Sequence, residues 1–199
     1  MRNKFMRFVI ALISIIIAFS CSTTRTLNLA INSNQNDCIQ SSPFKSARSI
    51  SNDLQRQLSY RKNYIANLQN LKLKFPNDTL ILKENYDYIC IGCQADYIAI
   101  FVDSLLFSYR LEDHKTEYTK QPIITLRNFE DSDGYFYDDF LELIQEIRAN
   151  PKWYENPEKF GTDYCFDGGH TLYTVIFPSS KIESMYMRCW IPKEDRDKK

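Results

Sequence analysis

The side chains with the most chemistry to offer are cysteines, six in 199 residues, with only two histidines beside them. Cys90 and Cys93 form a CxxC pair, Cys165 and Cys189 follow far downstream, and His170 lies shortly after Cys165. Four chemistries fit these residue types. Cys90 and Cys93 with two of Cys165, His170 and Cys189 would make a soft tetrahedral donor set for zinc, although the second half lacks the close spacing of structural zinc sites. A CxxC pair can also exchange disulfides, but catalysts of that kind set it at a helix N-terminus, where the dipole stabilises the thiolate. The alternating residues after Cys93 predict a strand instead. Cys165 or Cys189 beside His170 would be a nucleophile if the thiol were free in an electropositive setting. Hairpin pairing brings His170 opposite Arg188 or Cys189, and half a step of register decides between them. The fourth chemistry is the simplest, disulfides among the four cysteines, which is the leading expectation wherever the compartment oxidises thiols. Three complete pairings are open, and a Cys90–Cys93 bond is the least favoured if that segment is extended. No cofactor is expected.

Two other groups of residues invite a site. Glu130, Asp131, Asp133, Asp138, Asp139 and Glu142 crowd one stretch, but with Gly134 at the sixth position of a calcium loop, Phe129 falls where the first carboxylate must be. These acids suit the positive end of a helix, at about 0.3 to 1 kcal/mol each. Trp153, Tyr154 and Phe160 occupy a proline-flanked loop between Pro151 and Gly161. They form either a ligand platform or, as is commoner for aromatics in loops, a loop folded onto the core.

The compartment follows from the first twenty residues. Arg2, Lys4 and Arg7 lead into an apolar run from Phe8 to Phe19 that closes on Ala18-Phe19-Ser20-Cys21. A membrane-spanning helix needs about 20 apolar residues, and this shorter run has the length of a secretory signal. Its end resembles the lipobox of bacterial lipoproteins. The resemblance implies removal of residues 1–20, acylation of Cys21 on its thiol and new amino terminus with palmitate-like chains, and a place in the bacterial cell envelope. Ser22, where Asp tends to retain such proteins at the inner membrane, implies the outer membrane. Lipid burial contributes about 0.8 kcal/mol per CH₂, so several chains anchor without a second device. Cys21 then drops out of the disulfide arithmetic, and Cys38 is the natural odd thiol.

Removing the signal takes away three of 25 basic residues and none of 25 acidic ones, leaving a net charge of about −3. Such a chain has no electrostatic reason to bind nucleic acid. Its partners are expected to be the membrane, through the lipid, and an envelope protein or glycan. The remaining length suits one domain, and five glycines beside 13 Tyr and 13 Phe favour a packed, strand-rich one. Residues 21–42, rich in Ser, Thr, Asn and Gln without sustained periodicity, are expected to be a flexible tether. The domain is expected over 43–192, and 193–199 is a charged tail.

The elements that must position these residues show in their periodicity. Ser42-Pro43 starts a helix, and Ala47, Ile50, Leu54, Leu58, Ile65, Leu68 and Leu71 mark one stripe of it to about residue 72. From Thr79 the period becomes two. Tyr97 to Val102 and Leu105 to Leu111 flank Asp103-Ser104 as a hairpin, with Val102 opposite Leu105, Ile100 opposite Phe107 and Ile98 opposite Tyr109. Ile123 to Phe129 is a further strand. Phe136, Phe140, Leu143, Ile144 and Ile147 mark a second helix that Asn150-Pro151 ends. Leu172 to Phe177 and Ile182 to Ile191 form a last hairpin about Pro178-Ser179-Ser180.

Helices beside meandering hairpins predict an α+β domain in which an antiparallel sheet is packed on one face by helices. Cys90-Ile91-Gly92-Cys93 followed by a strand carrying Tyr97, a hairpin, a helix and a final hairpin resembles an uncharacterised domain of secreted bacterial lipoproteins. That resemblance spans roughly residues 86 to 191 and implies no activity. The expectation is a membrane-anchored lipoprotein acting as a non-enzymatic binding or structural module. The alternatives are an envelope enzyme with a Cys/His site and a zinc-stabilised domain.

Overall fold

Among the described residues there are eight strands, most of them built on alternating apolar residues: β1 (Leu80–Tyr86), β2 (Tyr97–Val102), β3 (Leu105–Arg110), β4 (Ile123–Leu126), β5 (Gly161–Thr162), β6 (His170–Ile176), β7 (Ile182–Met187) and β8 (Cys189–Trp190). The structure, a computed structural model, describes residues 24–44, 47, 50, 54, 58, 61–62, 64–86, 97–103, 105–110, 123–126, 143–155, 161–162, 170–187 and 189–190. Six strands form one antiparallel sheet in the order β4-β3-β2-β1-β6-β7, and β5 pairs with β8 separately. The fold is α+β, with helices packed against the sheet.

The first hairpin has the register that its alternation predicts, Val102 opposite Leu105 through Tyr97 opposite Arg110. Asp103 turns it at φ 47, the left-handed region that a two-residue hairpin demands and that Asp tolerates better than most residues. The last hairpin pairs Ile176 with Ile182 through Thr171 with Met187. Ser180 adopts φ 67 in its turn, where its N–H donates to the Phe177 carbonyl at 2.9 Å. The strand expected from Ile182 to Ile191 is two strands. β7 ends at Met187, and in β8 Cys189 lies opposite Thr162 and Trp190 opposite Gly161.

The expected tether is the largest correction. Residues 24–41 form a helix, α1, that buries Leu27, Ile31 and Ile39 against the sheet. Its inward stripe also carries Asn28 and Gln35, 6% and 0% exposed. Amides at these positions hide the 3.6-residue period that would otherwise identify the element. The long helix expected from residue 43 is not continuous either. Residues 47 and 50 are in 3₁₀ geometry, 54, 58 and 61 are helical, and a turn at 62 and 64 separates them from α2, Ile65–Lys74. Tyr64 is the N-cap of α2, and the Phe75 N–H closes it on the Leu71 carbonyl at 2.9 Å. Lys72 and Lys74 sit in the last turn, where cations complement the helix dipole.

Residues 143–149 are the described part of the second expected helix, here α3. α1 and α2 cover the sheet face of Leu80, Leu82, Ile98, Ile100 and Ile176. α3 and Trp153 cover the opposite face, against Ile81, Ala99, Phe101, Tyr173 and Met185. Both faces of the central strands are therefore buried, which explains why Lys83 and Glu84 in β1 are 5% and 0% exposed.

Candidate functional site

Burying two adjacent charges in a central strand requires partners for each. Lys83 lies over the Tyr173 ring, 5.4 Å from its centroid. Glu84 faces the helices, where the fully buried Arg61 grips it bidentately, Nε to Oε1 at 2.9 Å and Nη2 to Oε2 at 3.0 Å. The Tyr64 hydroxyl donates to Oε1 at 2.5 Å, and Gln35 Nε2 donates to Oε2. Two further guanidinium hydrogens go to α1, Nη1 to Asn28 Oδ1 at 3.0 Å and Nη2 to Gln35 Oε1 at 2.8 Å. Gln35 Nε2 also reaches Thr174 Oγ1 at 2.9 Å, and that hydroxyl contacts Ser184 Oγ at 3.0 Å. Burial pushes the Glu84 carboxyl up. The charge and hydrogen bonds of Arg61, with those of Tyr64 and Gln35, outweigh it and hold the group below its ordinary value. This network fixes α1 across β1, β6 and β7.

So fixed, the second half of α1 forms one wall of a cleft of about 560 Å³ beside β7, the terminal strand of the sheet. Asn34, Asp37, Cys38 and Ser41 line it from α1, and Tyr154 and Glu155 from the other side. β7 presents outward-facing backbone groups here, and α1 caps two of them. Asn34 Nδ2 donates to the Ile182 carbonyl at 3.0 Å, and the Tyr186 N–H bonds the Cys38 sulfur. Capping of this kind blunts an edge that would otherwise pair with another chain.

Acceptors dominate what remains. Asn34 and Asp37 both line the cleft, Asp37 exposed and Asn34 with its Oδ1 buried and without a hydrogen-bond partner among the described residues. Glu183 is anchored through Oε2 by Trp153 Nε1 at 2.8 Å. Its other oxygen lies against Lys181 Nζ, and the hydrogen bond and charge together raise the Lys181 ammonium above its ordinary value. Cys38 carries a free thiol. Burial pushes it up to about 12, against the smaller opposing pull of the Tyr186 N–H, so at neutral pH it is no thiolate nucleophile.

Of the residues singled out by chemistry, His170, Cys189, Trp153 and Tyr154 are among those described. His170 opens β6, half-buried, with Nδ1 2.5 Å from the Tyr186 hydroxyl and the two rings 5.8 Å apart. Cys189 lies on β8 rather than in the last hairpin. Trp153 is 1% exposed, a core residue rather than a platform, whereas its neighbour Tyr154 lines the cleft. Cys21, Cys90, Cys93, Cys165, Phe160 and the acids from Glu130 to Glu142 lie outside the described residues. Among those described, no group of three or more His, Cys, Asp or Glu is placed to hold a metal, and no helix is long and apolar enough to cross a membrane.

Arg61, Glu84, Gln35 and Asn34 escape a search for catalytic motifs, yet two carry a signal. The helical stripe steps by seven from Leu58 to Ile65, and Arg61 fills the skipped inward position. Glu84 falls between Leu82 and Tyr86 on the inward face of a period-two strand. No family model matches the chain, and no curated protein and no solved structure matches it either.

Proposed function

We propose that this chain is an exported, lipid-anchored module of the bacterial cell envelope, outer membrane by the implication of Ser22, that binds a donor-rich ligand in the cleft beside β7. The export signal and Cys21 support the address. The cleft carries the binding reading: the exposed Asp37 carboxylate and Asn34, whose amide oxygen is buried without a hydrogen-bond partner among the described residues, line a space whose thiol is held protonated. A site of this composition favours hydrogen-bond donors, above all amines, and offers no activated nucleophile. Amine-bearing envelope glycans or lysine-bearing protein segments have that chemistry.

Two measurements test the two halves. Intact mass spectrometry of protein extracted from membranes is expected to show an N-terminus at residue 21 carrying acyl chains, and an unacylated terminus would remove the anchor. Isothermal titration with glucosamine oligosaccharides and with lysine-bearing peptides is expected to show binding by at least one set that N-acetylation of the amines abolishes. Asn34→Ala and Asp37→Ala should each weaken that binding several-fold. Equal binding by acetylated probes, or none by either set, would sink the cleft assignment.

A further inference from the structure

We infer that the first two turns of α1 lie against the bilayer, so that the domain rides directly on the membrane surface instead of standing off it. The inference rests on the lipid anchor at Cys21 and identifies the surface that meets the lipid. Thr24 is already helical, and the three residues from Cys21 to Thr24 span at most about 11 Å even when fully extended. The helix cannot swing free to lengthen that leash. Leu27 and Ile31 are buried in the core, Asn28 Nδ2 donates to the Leu58 carbonyl at 3.2 Å, and Asn28 Oδ1 accepts from Arg61.

The outward face of those turns has the composition that a bilayer surface favours. Arg25, Thr26, Leu29 and Ala30 are exposed there, and Leu29, 49% exposed, is one of two exposed large hydrophobic residues among those described. A leucine beside an arginine can enter the acyl boundary while the guanidinium meets phosphate. Farther along, the same face changes to Ser33, Asn36, Asp37 and Gln40, all exposed and with no basic residue among them. At 1.5 Å per residue Asp37 lies about 20 Å along the axis from Thr24. The apolar and basic end is thus the one nearest the anchor, and the cleft lies toward the other.

Photo-crosslinking in native membranes tests this with the full chain, processed by the cell. p-Benzoylphenylalanine replaces Leu29 or, as a control at another exposed position of the same helix, Gln40, and lipid adducts are read by mass spectrometry together with the acylation state of Cys21. The expected result is a several-fold excess of phospholipid adduct at position 29. A Gly/Ser spacer of about ten residues inserted after Ser22, reaching about 17 Å as a coil, should reduce that adduct several-fold. Acylated protein with equal lipid labelling at 29 and 40, or labelling at 29 that the spacer leaves unchanged, overturns the apposition and leaves the anchor standing. Mature protein without acyl chains overturns both.

Discussion

Glu84 and Arg61 are both fully buried, so the cost of desolvating two charges is met by their mutual attraction and by the hydrogen bonds with Tyr64, Gln35 and Asn28 around them. In that situation losing one partner is worse than losing both, because the survivor keeps its burial and loses its compensation. Glu84→Ala is expected to cost about 3 to 5 kcal/mol in urea unfolding, whereas Arg61→Met with Glu84→Leu should cost much less than the two single changes together. A double change costing the sum of the singles would mean that the two side chains act independently. The pH dependence has a definite sign. A carboxyl whose folded pKa lies below its unfolded value contributes stability above that unfolded value, and the contribution is lost as pH falls through the folded pKa. For Glu84 the reference is 4.5, so unfolding midpoints should hold from neutrality to about pH 5 and then decline, and Glu84→Gln should flatten that decline. Cys38 offers the opposite case. Its thiol is pushed up to about 12 from 9.0 by burial, and at pH 8 that leaves about a thousandfold less thiolate than an open cysteine would have. Peptide mapping after iodoacetamide should find Cys38 unmodified in the native protein and modified in urea. Rapid native labelling would show that the second half of α1 opens readily.

Among the elements, α1 decides the most. The stretch looks polar because four of its 18 residues are Asn and two are Gln, and composition of that kind ordinarily signals a chain that cannot bury enough surface to fold. What composition misses is where the polar groups go. Asn28 and Gln35 satisfy Arg61, and Asn34 satisfies the Ile182 carbonyl. Leu27, Ile31 and Ile39 supply the apolar contacts between them. The hairpins were more legible because their information is local. Alternation and a two-residue turn determine the β2–β3 register without reference to the rest of the chain. Pairing of β1 with β6, across more than eighty residues, is a contact between distant segments that no local pattern contains. The cleft shares that opacity, since its walls come from α1, the Tyr154 turn and β7. A paired substitution separates helix from tether. Ile31→Ala, at a fully buried position, is expected to cost about 2 to 5 kcal/mol. Leu29→Ala, on the exposed face of the same helix, should stay within about 0.5 kcal/mol. A tether would give two small and equal effects in denaturant titrations.

At the scale of the whole molecule, the position of α1 moves the start of the folded unit from residue 43 to residue 24. The sheet is covered on both faces, by α1 and α2 on one and by α3 with Trp153 on the other, so removing α1 would uncover the centre of a layered structure rather than trim its margin. Fully burying a Leu or Ile side chain contributes about 1.5 to 3 kcal/mol. Loss of Leu27, Ile31 and Ile39 therefore withdraws about 5 to 9 kcal/mol, against a total stability of about 5 to 15 kcal/mol for an ordinary domain. The same deletion strips Arg61 of its bonds to Asn28 and Gln35 and leaves buried donors unpaired, which adds to the loss. A chain of residues 22–199 is expected to unfold cooperatively and to show a fixed near-ultraviolet circular dichroism spectrum. A chain of residues 43–199 should lose that spectrum while retaining much of its strand signal, or aggregate through the uncovered face. Retention of both the spectrum and the unfolding midpoint by the shorter chain would return α1 to the role of a spacer and free the domain to stand away from the membrane.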